Sequence, residues 1–173
     1  MPTLASPQNK MKIFFISFLF AVSSLSAQVD TTQPPYKRFP TLPPLKLMPI
    51  GSTTIFTKDQ LKKNKPVLIM LFSPDCEHCQ HETEDLIKNI TKFKKIQIVM
   101  ATMMPFEQMT AFYDRYDLKR FDNIIVGRDI YYLLPSFYKV RFLPYMAMYD
   151  KKGKLLSTFE GNLGMDKLAK IFD

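Results

Sequence analysis

Apolar runs of strand length recur along the sequence and are separated by segments of helical period. The run from Val67 to Phe72 is apolar without interruption, which predicts a strand that is covered on both faces. A second buried strand is predicted from Ile96 to Thr102. Tyr145 to Tyr149 and Leu155 to Phe159 flank the polar sequence DKKG, and this pattern predicts a hairpin.

One segment carries the clearest amphipathic helical pattern. Its apolar face recurs at intervals of 4, 3, 4 and 3 residues and consists of Cys79, Thr83, Leu86, Ile90 and Phe93. This spacing predicts a helix from about Cys76 to Phe93. Cys79 then lies on the buried stripe, and Cys76 lies in the first turn at its exposed end.

The remaining predicted elements are shorter. They are a helix from the capping box at Thr57 through about Lys63, a helix from Pro105 through about Tyr116, a strand from Asn123 to Val126, a helical turn within residues 128–142, and a helix from Met165 to Phe172. The order of elements, β-α-β-α-β followed by β-β-α, predicts an α/β fold with a mixed central sheet and helices on both faces.

The N-terminal segment has the composition of an export signal. Two lysines precede an apolar run from Ile13 to Val22, and mostly small residues follow it up to Ala27. This pattern predicts a secretory signal peptide over residues 1–27, with Met11 as an alternative start. We therefore expect cleavage near Ala27 and a periplasmic or secreted protein.

The rest of the chain suits one domain. Residues 28–44 are rich in proline and are predicted to form an extended leader along a domain at residues 45–173. The formal net charge is +8. The lysines lie near turns and the ends of elements, in no single long run, which favours a solvated basic surface and gives no support to a nucleic-acid partner.

The sequence Cys76-Glu77-His78-Cys79 is the main candidate for chemistry. Thiol–disulfide exchange needs an attacking thiolate and a second thiol that resolves the mixed disulfide. The N-terminal end of a helix stabilises a thiolate at Cys76, and Cys79 lies one turn away. His78 is predicted to stabilise that thiolate further, which makes the disulfide more oxidising. A purely structural disulfide across so small a loop would add only about 2 kcal/mol of stability.

Two segments carry a family resemblance. Pro66 to Leu86, PVLIMLFSPDCEHCQHETEDL, resembles the active-site segment of thioredoxin-like proteins, especially the periplasmic TlpA/ResA-type reductases, and YKVRFLPYMAMYDKKGKLLSTFEG resembles their second half. The resemblance implies a thioredoxin fold and a redox-active Cys76–Cys79 disulfide, with Cys76 as nucleophile and Cys79 as resolving thiol. It also implies a cis-proline at Pro144, where the backbone beside Leu143 would bind an extended substrate.

The sequence departs from thioredoxins proper at one catalytic position. Those proteins carry a buried acid six residues before the first cysteine, where this chain has Met70. Glu82 follows Cys79 by three residues, and ResA-type members also place a glutamate there. We predict that Glu82 accepts the proton of Cys79 during resolution. The alternative is a glutamate that faces solvent from the helix.

Three other functions are compatible with parts of the pattern. In a metal-delivery protein, the ligands would be the two cysteines, His78 and His81, but the histidines point about 200° and about 140° away from Cys76 on one helix. Ser73 stands where peroxiredoxins have Thr or Ser, although Ile69 replaces their upstream proline. The third alternative is a non-catalytic thioredoxin-like binding module.

The sequence therefore predicts an exported thiol–disulfide oxidoreductase, with a reductase of protein disulfides as the preferred form. We expect protein thiol and disulfide substrates, a membrane-embedded thiol as electron donor, a monomer, and neither a cofactor nor a metal. The direction stays open, because His78 favours an oxidant whereas the family resemblance favours a reductase.

Overall fold

The computed structural model describes residues 1–3 and 32–173. The predicted signal peptide lies outside the described residues except for its first three positions, so it stays a prediction. Among the described residues, no helix combines the length and the hydropathy that a membrane span requires.

The described chain forms a seven-stranded sheet with the order β2-β1-β5-β4-β3-β6-β7. The strands are β1 (Lys46–Pro49), β2 (Phe56–Thr57), β3 (Val67–Leu71), β4 (Gln97–Thr102), β5 (Ile124–Arg128), β6 (Tyr145–Tyr149) and β7 (Leu155–Glu160). Strands β3, β4 and β5 are parallel to one another, and the other neighbours pair antiparallel. The sheet is therefore mixed, as predicted.

Helices cover both faces of this sheet. They are α1 (Pro35–Arg38), α2 (Glu77–Lys88), α3 (Phe106–Arg115), α4 (Leu133–Tyr138) and α5 (Met165–Lys170). Apolar residues of α2, α3 and α5 pack on one face, and those of α4 and of the segment before β3 pack on the other. The predicted covering of both faces is thus confirmed.

Strand β3 shows why its sequence has no polar position. Leu68 and Met70 contribute to the core under α2, whereas Val67, Ile69 and Leu71 contribute to the core under α4. Successive side chains of a strand point to opposite faces, so a central strand between two helical layers needs apolar residues throughout. The loop that leads to Cys76 consequently begins at a strand that is fixed on both sides.

The structure differs from the prediction in the segment before β3. The predicted extended leader contains the helical turn α1, whose N-terminal proline needs no hydrogen-bonding partner for a backbone N–H. Strands β1 and β2 were not predicted, and both are short. The capping interaction at Thr57 is present, because its N–H donates to Gln60 Oε1 at 2.7 Å, but only a 3-10 turn follows, over Lys58–Gln60.

The predicted helix from Cys76 to Phe93 is also interrupted. Helix α2 ends at Lys88, Asn89 caps it, and Ile90–Phe93 form a 3-10 turn. The Asn89 side chain donates to the Asp85 carbonyl oxygen at 2.9 Å, which satisfies one of the last helical acceptors. Phe93 is nevertheless buried, as the amphipathic spacing predicted.

Candidate active site

Cys76 caps the N-terminus of α2 rather than lying in its first turn. Its backbone is extended, with φ −87° and ψ 114°, and its sulfur accepts a hydrogen bond from the Cys79 N–H at 3.4 Å. The side chain is half-buried and carries a free thiol. The sulfur thus takes the place of the oxygen of a capping Ser or Asp, and a thiolate would be the stronger acceptor at that place.

Cys79 lies one turn further along α2 and is fully buried. Burial, together with the hydrogen bond to the Cys76 sulfur, raises the pKa of the Cys79 thiol well above its ordinary value. The Thr83 hydroxyl donates to the Cys79 carbonyl oxygen at 2.8 Å and fixes this turn. Of the two sulfurs, only that of Cys76 can therefore meet a bulky substrate directly.

Glu82 is buried on the same side of α2, with 2% of its surface exposed, so the solvent-facing alternative is wrong. Its carboxylate accepts from Asn162 Nδ2 at 2.9 Å and from the Leu163 N–H at 3.2 Å. Burial raises the pKa of Glu82, and these two hydrogen bonds oppose the shift. The charge of Glu82 in turn contributes to the raised pKa of Cys79. The structure therefore places a buried carboxylate on α2 whose charge acts on the buried thiol.

Asn162 is a site residue that the sequence did not reveal. Its Nδ2 donates to Glu82 Oε2 and also to the His78 carbonyl oxygen, each at 2.9 Å. It thereby joins the first turns of α2 to the loop between β7 and α5. No local sequence pattern marks this residue, because its role depends on partners 80 and 84 positions away.

The segment around Pro144 lies next to Cys76, at the end of the sheet where β3 ends and β6 begins. The Leu143–Pro144 peptide bond is cis. The Cys76 thiol lies 3.9 Å from the Leu143 carbonyl oxygen, to which it donates. Phe142, which precedes this pair, is 66% exposed and adds an apolar surface to the rim. The structure thus brings together residues separated by 67 positions in the sequence.

The structure does not place the His78 ring against the Cys76 sulfur, where it was predicted to stabilise the thiolate. Its side chain is exposed, and in the described part of the chain its ring makes no hydrogen bond to the Cys76 sulfur. His81 is exposed as well. Within residues 1–3 and 32–173, no three or more His, Cys, Asp or Glu side chains are grouped so that they could hold a metal ion.

Met70, where thioredoxins proper carry a buried acid, is apolar and buried in this protein. Met70 belongs to the core that contains Cys79, and the Phe72 ring packs against Phe112 with 4.6 Å between ring centroids. Met70 therefore offers no carboxylate to the buried thiol. The buried carboxylate of the site is instead that of Glu82, on α2.

Comparison with known proteins agrees with this architecture. Residues 57–173 match a family described as the thioredoxin-like domain. No curated protein sequence matches the chain significantly.

Several solved structures are similar in fold to this chain. A secreted disulfide oxidoreductase of Mycobacterium tuberculosis, homologous to E. coli DsbE, has a TM-score of 0.61 at 18% identity, covering 73% of this chain and 92% of that chain. A thiol-disulfide isomerase from Corynebacterium glutamicum has a TM-score of 0.60 at 15% identity, covering 76% and 92%. StoA from Bacillus subtilis has a TM-score of 0.56 at 14% identity, covering 76% and 98%. At these identities the likeness establishes the fold, which is the predicted one.

Proposed function

This chain belongs to the thioredoxin-like family, and from that membership and its dithiol geometry we propose that it is a thiol–disulfide oxidoreductase acting on protein disulfides. One observation carries the proposal. A half-buried sulfur caps α2, and a fully buried sulfur lies one turn below it beside a buried carboxylate. This arrangement separates an attacking thiol from a resolving thiol, which is the division of roles that exchange requires.

The first step of the proposed reaction uses Cys76. Its thiolate attacks one sulfur of a substrate disulfide, forming a bond between Cys76 and that sulfur while the other substrate sulfur leaves as a thiolate. The Cys79 N–H donates to the attacking sulfur and holds it at the mouth of the site. The cis-proline segment, with the Leu143 carbonyl oxygen beside Cys76, is the surface along which we expect an extended substrate to lie.

The second step uses Cys79 and Glu82. The Cys79 thiol gives its proton to the Glu82 carboxylate, and the resulting thiolate attacks the Cys76 sulfur. The second substrate sulfur then leaves as a thiolate, and a Cys76–Cys79 disulfide remains. The substrate gains two electrons and the dithiol loses two. Because the pKa of Cys79 is raised, this proton transfer is the step that most needs assistance from the protein.

We propose reduction as the physiological direction. The exposed position of His78 removes the hydrogen bond that would have favoured the thiolate and made the protein a stronger oxidant. The proposal includes export by the predicted signal peptide, action as a monomer on protein substrates, and reduction by a membrane-embedded thiol donor. It includes no cofactor, metal or nucleic acid.

Insulin provides the direct test of this function. The purified protein is mixed with insulin and dithiothreitol, and precipitation of the reduced insulin B chain is followed by turbidity. We expect the rate to exceed that with dithiothreitol alone at least tenfold. A rate equal to that with dithiothreitol alone would favour the non-catalytic binding module.

His78→Ala is expected to change the reduction potential only slightly. An exposed histidine interacts with the Cys76 thiolate through water, which screens its charge. The potential should become more negative by less than about 30 mV, which is a tenfold change in the redox equilibrium constant. Equilibration with glutathione measures it, and His81→Ala is the matched control. A larger shift would show that the His78 ring reaches the sulfur, and a shift toward a more oxidising value would reverse the proposed sign.

A further inference from the structure

Lysines that are scattered in the sequence gather at one end of the folded domain. We call this surface the basic end. It consists of Lys58, Lys62, Lys63, Lys65, Lys92, Lys94, Lys95, Lys151 and Lys152, and all nine are exposed. They come together because the segments that lead into β3 and β4 and the turn between β6 and β7 lie at the same end of the sheet. The sequence order conceals this clustering.

The basic end is one continuous surface formed by three shallow grooves. A groove of about 290 Å³ is lined by Lys58, Lys62, Lys63, Lys65, Lys151 and Lys152, among others. A second groove, of about 720 Å³, shares Lys65 with the first and adds Lys92, Lys94 and Lys95. A third, of about 370 Å³, shares Lys151 and Lys152 with the first groove and Pro66 and Phe172 with the second.

Little negative charge compensates these lysines. Of the nine, only Lys92 forms an ion pair within the described residues, and its partner is Asp166. Asp150 and Asp173 each line two of the grooves, and the Asp150 carboxylate also accepts the backbone N–H groups of Lys152 and Lys154 in the turn. The nine lysines therefore outnumber the carboxylates at this surface. A concentration of like charge opposes compact folding and favours an oppositely charged partner.

The basic end lies opposite the candidate active site. Cys76 follows the C-terminal end of β3, whereas the basic end surrounds its N-terminal end. The five residues of β3 separate the two ends by about 15 Å. A flat partner bound at the basic end would therefore leave the dithiol accessible from the other side.

We propose that the basic end binds the anionic headgroups of a phospholipid surface. All nine cations are lysines, which bind phosphate as point charges, and none is an arginine of the kind that pairs bidentately with phosphates and bases. Apolar residues lie between them, and Leu156 is 45% exposed. Phe172 is the only aromatic residue lining these grooves, and it packs against the core, so a platform for base stacking is missing.

A vesicle experiment on the full chain tests this binding independently of the proposed redox function. Flotation is compared for vesicles of phosphatidylcholine alone and for an equal mixture with phosphatidylglycerol, at low and at high salt. The test variant replaces Lys62, Lys63, Lys151 and Lys152 by glutamine. The matched control replaces four exposed cations elsewhere, Lys88, Arg115, Lys119 and Arg120, by glutamine. The wild type and both variants carry the same apolar N-terminal run. Their binding to neutral vesicles therefore measures how much this run contributes to vesicle binding.

The two variants lose the same number of positive charges at different places, so the expected result distinguishes the position of the lysines from the net charge of the protein. Anionic vesicles should bind the wild type and the control equally within twofold, and the test variant at least tenfold more weakly, with insulin reduction unchanged. High salt should remove this difference. Equal losses in both variants, or no preference of the wild type for anionic vesicles, would overturn the proposal. Tighter binding to a DNA duplex than to anionic vesicles, lost in the test variant, would assign the basic end to nucleic acid instead.

Discussion

Cys76→Ser is expected to reduce the catalysed rate of insulin reduction to that with dithiothreitol alone. A serine hydroxyl at this position is not ionised at neutral pH and cannot attack a disulfide. Cys79 cannot replace it, because its sulfur is fully buried and its pKa is raised. The loss should therefore be complete rather than partial.

Cys79→Ser is expected to trap the intermediate instead. Cys76 can still attack, but no second thiol releases the substrate. A mixed disulfide with insulin should accumulate at one adduct per protein, visible by mass spectrometry and released by dithiothreitol. An adduct formed through Cys79 in the Cys76→Ser variant would reverse the two roles. Thermal unfolding of both variants checks that the nearly isosteric replacements leave the fold intact.

The strands at the centre of the sheet could be predicted because their burial is complete. Strand β3 and its neighbours β4 and β6 are buried at every position. Their sequences are accordingly apolar, except at Gln97 and Thr102, the two ends of β4. Strand β1 escaped prediction because it has four residues and ends in proline. Its place in the sheet depends on pairing with β5, some 80 positions away, which no local pattern reports.

The candidate site was predictable only where its chemistry is local. The depth difference between Cys76 and Cys79 follows from helical spacing, and the structure confirms it. The environment of Glu82 could not be predicted, because Asn162 and Leu163 reach it from a distant loop. The basic end could not be predicted either, because its lysines come from several elements that are distant in the sequence and meet only in the folded protein.

Glu82→Gln is expected to slow the resolving step about 100-fold at neutral pH, which is within the usual contribution of a general base. Glutamine keeps the shape of the side chain but cannot accept the Cys79 proton. Ellman's reagent separates the two steps in stopped flow. Attack by Cys76 releases one coloured thiolate, and attack by Cys79 on the mixed disulfide releases the second. Only the second release should be slower.

The control for this prediction is Glu84→Gln, the same replacement at a half-buried position on α2. Both releases should keep their wild-type rates in that variant. The deficit of Glu82→Gln should shrink as the pH rises, because hydroxide then removes the Cys79 proton without help from the protein. A second release that is equally fast in Glu82→Gln and wild type would remove Glu82 from the mechanism.

The stability of Glu82→Gln tests the physical origin of this base. Burial raises the pKa of Glu82 above its ordinary value of 4.5, so the folded protein binds this proton more tightly than the unfolded chain does. The tighter proton binding stabilises the folded state fully at pH values below the ordinary pKa. This contribution is lost as the pH rises through the raised pKa of Glu82 in the folded protein. Urea unfolding at pH 4 and pH 7 should therefore show the variant gaining stability relative to wild type as the pH rises. A relative loss would mean that the hydrogen bonds from Asn162 and Leu163 outweigh burial, and the carboxylate would then be too weak a base for the proposed proton transfer.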